Sequence, residues 1–328
     1  MRRPRRLRRG IGALRAPSPP VREAALDRSE ASSGLLRKTC LVTLRSAGLE
    51  GLRGAGALLV PAHTLPGAVL IAKRGPRAVV RLPAESVGVS VLAGRSSCVL
   101  KEETYPFPAL LRGVAAPPRA LSELRNLALL RALGFPAVEP FACGWAAVCG
   151  LPERSFLLLE DFAGSFSLKE WARAGSAANL AGIPREDILE ALRGFIQDVA
   201  RLHATGAAIG TLYAKNILAR PRDGRIELRL CDVPRARSPS GPGLRFGHAA
   251  HDLACLDKWA CEALPSGERR DLLGAYLEEL RAGPPPEAWI AAIRRRRDRL
   301  RHRTASGRAS RGWKRILKRA GLKRFWPF

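Results

Sequence analysis

The sequence lacks the features that identify several common classes of protein. Its seven cysteines are odd in number and no two have CxxC spacing, so neither a zinc site nor a disulfide framework is predicted. No apolar run approaches the roughly 18–20 residues that a membrane-spanning helix needs. The arginine-rich start of the chain also lacks the apolar segment of a secretory signal. A reducing, cytoplasmic compartment is therefore the expected location.

Signatures of nucleic-acid recognition and of a glycine-rich phosphate loop are missing as well. The chain has no RRM, KH, zinc-finger or helix-turn-helix pattern, so nucleic acid is not an expected partner. It has no GxGxxG motif, and Gly88 and Gly94 are only weak candidates for covering a phosphate group. Any nucleotide site must therefore be found from other residues.

Positive charge is abundant, and it is concentrated at the two ends of the chain. The formal net charge is +27 over 328 residues. Residues 1–10 carry six arginines and no acid, whereas residues 294–328 carry fifteen Lys or Arg and one acid, so these ends hold 20 of the excess charges. Basic tails bind anionic surfaces such as membrane headgroups. The alternative interpretation is that the tails are simply solvated.

The N-terminal half has the pattern of a small, mostly antiparallel sheet. Residues 1–37 are rich in arginine and then in proline, which predicts disorder. Short apolar runs follow, and they predict strands at Thr39–Leu44, Ala57–Val60, Ala68–Ala72, Ala78–Leu82, Ser97–Leu100, Phe141–Gly144 and Ser155–Leu159. Gly75-Pro76 is predicted to turn one hairpin of this sheet.

A lysine and a glutamate in this half form a candidate ion pair. Lys101 ends a predicted apolar strand, the position of the lysine that binds the α- and β-phosphates in kinases. The helix predicted over residues 118–133 buries a leucine stripe, and Glu123 lies on it, away from that stripe. A helix glutamate paired with a strand lysine positions the lysine in kinases. The alternative is that both side chains are exposed surface charges.

The C-terminal half is predicted to be mostly helical, and it contains the central loop. An apolar stripe from Ile188 to Leu202 predicts a helix of four turns, and the loop LHATGAAIGTLYAKN follows at residues 202–216. The strand Ile226–Cys231 then ends at Asp232, and helices are predicted at His251–Ala263, Glu268–Leu280 and Trp289–Leu300. Residues 312–328 have aromatic and aliphatic residues opposite lysines and arginines, typical of a helix at an anionic membrane surface.

The order of these parts resembles the lipopolysaccharide kinase (Kdo/WaaP) family. The stretches that carry the resemblance are SFLLLEDFAGSFSL, LHATGAAIGTLYAKNIL, LCDVPRAR and HDLACL, within residues 99–280. The loop fits the family pattern LHxxGxxHGDLYxKHIL without a gap. The resemblance implies an α+β, two-lobed, protein-kinase-like fold. Its N-lobe, a small antiparallel sheet, would span residues 38–163. Its mostly helical C-lobe would span residues 164–300, and a basic tail would follow at residues 301–328.

The resemblance also implies a set of site residues and ligands. It implies ATP and Mg²⁺ as cofactors, and as acceptor a sugar hydroxyl of a lipid-linked glycan at the inner face of the cell membrane. The residues matched to nucleotide binding are Lys101, Glu123, Glu160 and Phe162, and the last two belong to a hinge whose backbone would bind adenine. Asn216 and Asp232 are matched to metal binding. His203 and Asp252 are matched to structural roles. Lys215 is a candidate contact to the transferred phosphate, with a solvent-facing lysine as the alternative.

Two loop residues depart from the family pattern. Ile209 stands in place of the loop histidine, and Thr211 stands in place of the aspartate that accepts the proton of the attacking hydroxyl. A threonine hydroxyl cannot act as a base near neutral pH. Two functions are therefore expected as alternatives: a phosphotransferase that works without this base, and a pseudokinase that binds nucleotide and acts through partners.

Overall fold

The computed structural model describes most of the chain between Val21 and Arg319. For residues 21–26, 37–44, 148, 151–152 and 303–319 it describes the backbone alone. The described residues are 21–26, 37–44, 61, 64–87, 92, 94–105, 118–148, 151–173, 183–239, 243–281 and 283–319. Of the strands expected from the sequence, Ala57–Val60 lies outside these residues.

An antiparallel sheet forms the N-terminal part of the structure. Its strands are β1 (Val21–Leu26), β2 (Arg37–Leu44), β3 (Val69–Arg74), β4 (Arg77–Pro83), β5 (Ser97–Thr104), β6 (Pro140–Val148) and β7 (Leu151–Glu160). They are arranged in the order β1-β2-β6-β7-β5-β4-β3, and each pairs antiparallel with its neighbour. Gly75-Pro76 joins β3 to β4 as expected, with Gly75 at a φ of +60°.

The two faces of this sheet pack against different neighbours. Alternate residues of a strand point to opposite faces, so Cys98 and Leu100 of β5 join one apolar cluster with Phe156 and Leu158 of β7. The opposite face is covered by the helix α1 (Arg119–Ala132). Lys101 has the other parity, so the period of the strand directs its side chain to the face that α1 covers.

The C-terminal part consists of helices around a second, three-stranded sheet. The helices are α2 (Leu168–Arg173), α3 (Arg185–Ala204), α4 (Phe246–Ala263), α5 (Ser266–Leu280) and α6 (Pro286–Arg319). The strands are β8 (Phe166–Ser167), β9 (Ile217–Arg222) and β10 (Arg225–Leu230), in the order β10-β9-β8. The predicted stripe of α3 is buried, with Ile188, Leu192 and Val199 fully shielded from solvent. The α+β class expected from the sequence is therefore confirmed.

The ends of the chain differ from the sequence-based expectation at two points. Strand β1 lies inside residues 1–37, which the sequence predicted to be disordered; it pairs with β2 from Val21↔Leu44 to Leu26↔Thr39. Helix α6 continues past residue 300, where the helical lobe was expected to end, and includes the first part of the predicted amphipathic tail. In the part of the chain that the structure describes, none of the helices combines the length and apolar character needed to cross a membrane.

Candidate active site

Lys101 and Glu123 meet in the interior between β5 and α1. Lys101 Nζ lies 2.5 Å from Glu123 Oε1 and 2.7 Å from the backbone oxygen of Cys231. Glu123 has only 5% of its side chain exposed, so it is not the surface charge that a lone helix glutamate usually is. The Glu123 carboxylate balances the positive charge of the Lys101 ammonium. The bond to the Cys231 carbonyl places Lys101 close to Asp232, the next residue in the chain.

The surroundings keep Lys101 charged and Cys231 neutral. Burial lowers the pKa of Lys101, but the carboxylates of Glu123 and Asp232 outweigh this effect and raise its pKa above the ordinary value. Burial raises the pKa of the Cys231 thiol to about 11, and the Lys101 ammonium only partly opposes this. The site therefore presents an ammonium group but no thiolate at neutral pH.

Three residues of the central loop and its neighbouring strand are joined around one backbone carbonyl. The Asp232 carbonyl accepts hydrogen bonds from Thr211 Oγ1 at 3.3 Å and from Asn216 Nδ2 at 3.2 Å. Asn216 Nδ2 also donates to the Thr211 carbonyl at 3.2 Å. These bonds hold Thr211, Asn216 and Asp232 together, and they use the hydroxyl of Thr211 as a donor to the backbone.

A buried carboxylate on α4 holds the loop from below. Asp252 is fully buried, and its two carboxylate oxygens accept hydrogen bonds from the backbone N–H groups of Ile209 and Gly210, each at 2.7 Å. Asp252 Oδ2 also lies 3.2 Å from His203 Nε2. A buried carboxylate that accepts several N–H groups fixes the backbone on which Thr211 stands.

Tyr276 extends this support into α5, although no local sequence pattern indicates a role for it. Its hydroxyl lies 2.9 Å from His203 Nδ1, and both side chains are buried. Burial raises the pKa of Tyr276, so its hydroxyl stays protonated and can donate to Nδ1. That donation leaves the imidazole proton on Nε2, the nitrogen that faces Asp252.

Gly210 is required where the loop passes the segment after Asp232. Its φ is +74°, and a Cβ atom there would lie 2.4 Å from the Arg235 carbonyl oxygen. Next to it, Ala208 and Arg237 exchange two backbone hydrogen bonds, at 3.1 and 2.8 Å. The loop and the segment after Asp232 are therefore packed backbone to backbone.

Helix α1 also contacts the region of Asp232 through two side chains that sequence reasoning missed. Asn126 Nδ2 donates to the Val233 carbonyl at 2.8 Å. Arg119 Nη2 lies 3.5 Å from Asp232 Oδ1, with about a third of each side chain exposed. Neither contact has a signature in the sequence, because the partners are more than 100 residues apart.

Glu160 and Phe162 use their side chains for contacts within the protein. Arg229 Nη1 lies 2.6 Å from Glu160 Oε2, and the Glu160 amide donates to the Glu139 carbonyl at 2.8 Å. Phe162 is buried, with the guanidinium carbons of Arg220 and Arg229 at 4.0 and 4.9 Å from its ring centre. A contact from this segment to an adenine base would therefore come from the remaining main-chain groups.

Lys215 is exposed and is adjacent to the buried Asn216. Its charge is close enough to oppose the rise in the pKa of the Cys231 thiol. This position is compatible with a contact to a phosphate group at the open side of the site, and equally with a solvent-facing lysine.

Few side-chain oxygen atoms in this site are available to bind a divalent cation. Among the residues that the structure describes, no group of three or more His, Cys, Asp or Glu side chains could hold a metal ion. Asp232 supplies one carboxylate, and Asn216 retains its amide oxygen because Nδ2 is occupied by two carbonyls. Mg²⁺ is commonly bound by one or two carboxylates together with substrate phosphates, so these residues fit that ion when a nucleotide is present.

Solved structures with kinase-like folds are among those similar to this chain. A structure of WaaP in complex with acyl carrier protein is 17% identical, with a TM-score of 0.49 over 73% of this chain and 90% of that one. The Mycobacterium tuberculosis PknI kinase domain, as a C20A_R136N double mutant, is 15% identical, with a TM-score of 0.42 over 73% of this chain and 99% of that one. No curated protein sequence matches the chain.

The sequence model of one family matches most of the region that builds this site, and Lys101 lies before the matched residues. The match to the lipopolysaccharide kinase (Kdo/WaaP) family spans residues 108–276, just over half of the chain. It includes α1 with Glu123, the central loop and the helix that carries Asp252. The resemblance and the protein-kinase-like α+β fold are thereby confirmed, and this protein belongs to the lipopolysaccharide kinase (Kdo/WaaP) family of kinase-like phosphotransferases.

Proposed function

We propose that the chain binds ATP and transfers its terminal phosphoryl group to a sugar hydroxyl of a lipid-linked glycan. The observation that supports this most directly is the Lys101–Glu123 pair, whose lysine also bonds the carbonyl that precedes Asp232. A charged lysine, a buried partner that positions it and a nearby carboxylate are the parts that a phosphoryl-transfer site needs. Residues 38–163 and 164–300 are proposed as the two lobes that supply them.

Each residue of the site has a proposed role. Lys101 binds the α- and β-phosphates, and main-chain groups of residues 160–162 contact the adenine. Asn216 and Asp232 hold the divalent cation, which when bound neutralises charge that develops on the phosphate oxygens. Lys215 contacts the phosphoryl group that is transferred. His203 and Asp252 position the loop and touch no substrate.

Thr211 limits the rate of this proposed reaction. Its hydroxyl accepts a hydrogen bond from an acceptor hydroxyl but does not remove the proton. General-base catalysis typically contributes about 10²–10⁴-fold, whereas phosphoryl transfer depends mainly on positioning and electrostatic stabilisation. A slow phosphotransferase is therefore consistent with the residues present.

A pseudokinase is the second candidate, and the hydrogen bond of Thr211 favours it. The hydroxyl donates to the Asp232 carbonyl, so the side chain at the base position serves the loop itself. In this alternative the nucleotide is bound without turnover, and the protein acts through partners. Both candidates share the nucleotide site and differ only in whether phosphate is transferred.

Phosphate transfer from labelled ATP to a membrane extract that contains lipid-linked glycan tests the first candidate. Label is expected in the glycolipid fraction with wild type and is expected to be lost with Lys101→Met. Lys169→Met, an exposed lysine on α2, is the matched control and should behave as wild type. ATP binding without any transfer to the extract would favour the pseudokinase instead.

We also propose that the basic C-terminal segment attaches the protein to the inner face of the cell membrane. Residues 311–328 contain seven Lys or Arg together with two tryptophans, two leucines and two phenylalanines. Helix α6 continues as far as Arg319. Each basic residue near an anionic bilayer contributes about 1 kcal/mol. Truncation after residue 310 is therefore expected to reduce co-sedimentation with anionic vesicles at least several-fold. Neutral vesicles are the control, and equal sedimentation of both proteins with anionic vesicles would contradict the proposal.

A further inference from the structure

Arg119 is a further cation at the edge of this site. It is the first residue of α1, and its Nη2 atom lies 3.5 Å from Asp232 Oδ1. The side chains are 33% and 28% exposed, so the contact lies at the open edge of the site. An ion pair of this length and exposure is weak. The guanidinium can therefore exchange Asp232 for another anion.

The charges around the site favour an anionic ligand even before a metal binds. Lys101, Arg119 and Lys215 are positive, and Glu123 and Asp232 are negative. With threonine at position 211, the loop adds no further carboxylate. A site with aspartate at 211 and without arginine at 119 would have one more negative and one fewer positive charge, a net charge two units more negative than this one.

Lys101 is less available to a ligand than Arg119. Lys101 already bonds Glu123 and the Cys231 carbonyl. Among the described residues, the ion pair of Arg119 is with Asp232 and is long, and a planar guanidinium can bind two phosphate oxygens at once. It also stands beside the one carboxylate that a divalent cation would use, so the cation and the guanidinium compete for Asp232.

We propose that Arg119 is a phosphate-binding residue of this site and that it allows ATP to bind without a divalent cation. The inference rests on the proposed function only in assuming that the site takes a nucleotide. Arg119 leaves Asp232 for the phosphates when ATP binds, and its charge replaces the attraction that a metal would otherwise supply. Without Arg119, that attraction must come from a metal ion held by Asp232, and binding becomes metal-dependent.

The test is the affinity of the full-length protein for ATP, measured by calorimetry in EDTA and in MgCl₂. Wild type is expected to bind ATP with similar affinity in both solutions. Arg119→Gln is expected to lose about 10–100-fold in EDTA, the range for a charge-assisted hydrogen bond, and to recover most of it in MgCl₂. Arg119→Lys should retain part of the metal-free affinity. Arg193→Gln, an exposed arginine on α3, should match wild type.

Adenosine separates phosphate recognition from damage to the site. Adenosine affinity should be the same in wild type and Arg119→Gln, because the proposed contact is to phosphate alone. Wild-type binding of ATP only in MgCl₂, or equal loss of adenosine and ATP in Arg119→Gln, would overturn the role of Arg119 while leaving the nucleotide site intact. Absence of ATP binding to wild type in both solutions would instead overturn the nucleotide site and this inference with it.

Discussion

A Thr211→Asp variant is expected to turn over ATP about 10²–10⁴-fold faster than wild type, the range of a general base in the right place. The expectation requires that the loop backbone keeps its conformation when Thr211 is replaced by aspartate. Asp252 holds the main-chain N–H groups of Ile209 and Gly210, and this support remains in the variant, which loses only the bond from the Thr211 hydroxyl to the Asp232 carbonyl. Asn216 and Asp232 remain in place around it.

The matched control for this gain is Thr211→Asn. Asparagine has the shape of aspartate but no basicity, so turnover should stay at the wild-type level. ATP hydrolysis and phosphate transfer, both measured at saturating ATP, report the change as an effect on kcat. Equal turnover of wild type and Thr211→Asp would contradict the expectation and would show that this chain does not need a base at position 211.

Removal of the Asp252 carboxylate is expected to have the largest effect on stability. Asp252→Ala leaves the Ile209 and Gly210 N–H groups buried without an acceptor and removes the partner of His203. Each orphaned donor costs about 1–3 kcal/mol, so the two together are expected to lower the free energy of unfolding by about 2–6 kcal/mol. Urea unfolding followed by circular dichroism measures this loss.

An exposed aspartate on the next helix provides the control. Asp271→Ala on α5 should change the free energy of unfolding by no more than about 0.5 kcal/mol. Asp252→Asn should be intermediate, because one amide oxygen can still accept a hydrogen bond. A loss below about 1 kcal/mol in Asp252→Ala would mean that the carboxylate does not support the loop as described.

The sequence predicted the parts of the site that local patterns or a family motif carry. Lys101 follows from an apolar strand, Glu123 from its place on a leucine-striped helix, and the loop through Asn216 from its fit to the family pattern. These features were predictable because the periodicity of apolar residues and the spacing of motif residues can be read directly from the sequence. The antiparallel sheet and the helical second half were predictable for the same reason.

The contacts that the sequence did not predict join residues that are distant in the chain. Arg119 meets Asp232 across 113 residues, and His203 meets Tyr276 across 73. Arg229 pairs with Glu160 across 69, which is why the glutamate expected at the hinge has its carboxylate engaged elsewhere. No periodicity encodes such pairs, because they arise only when separate elements pack together.

The affinity for ATP of wild type and of Lys101→Met tests most directly whether a nucleotide site exists between the sheet and the helices. With MgCl₂ present, wild type is expected to bind ATP, and Lys101→Met to bind it about 10–100-fold more weakly, with Lys169→Met as the matched control. Circular dichroism must show that the variant is folded, since Glu123 loses its buried partner. Equal ATP affinity of folded Lys101→Met and wild type, or no ATP binding by wild type, would contradict the account.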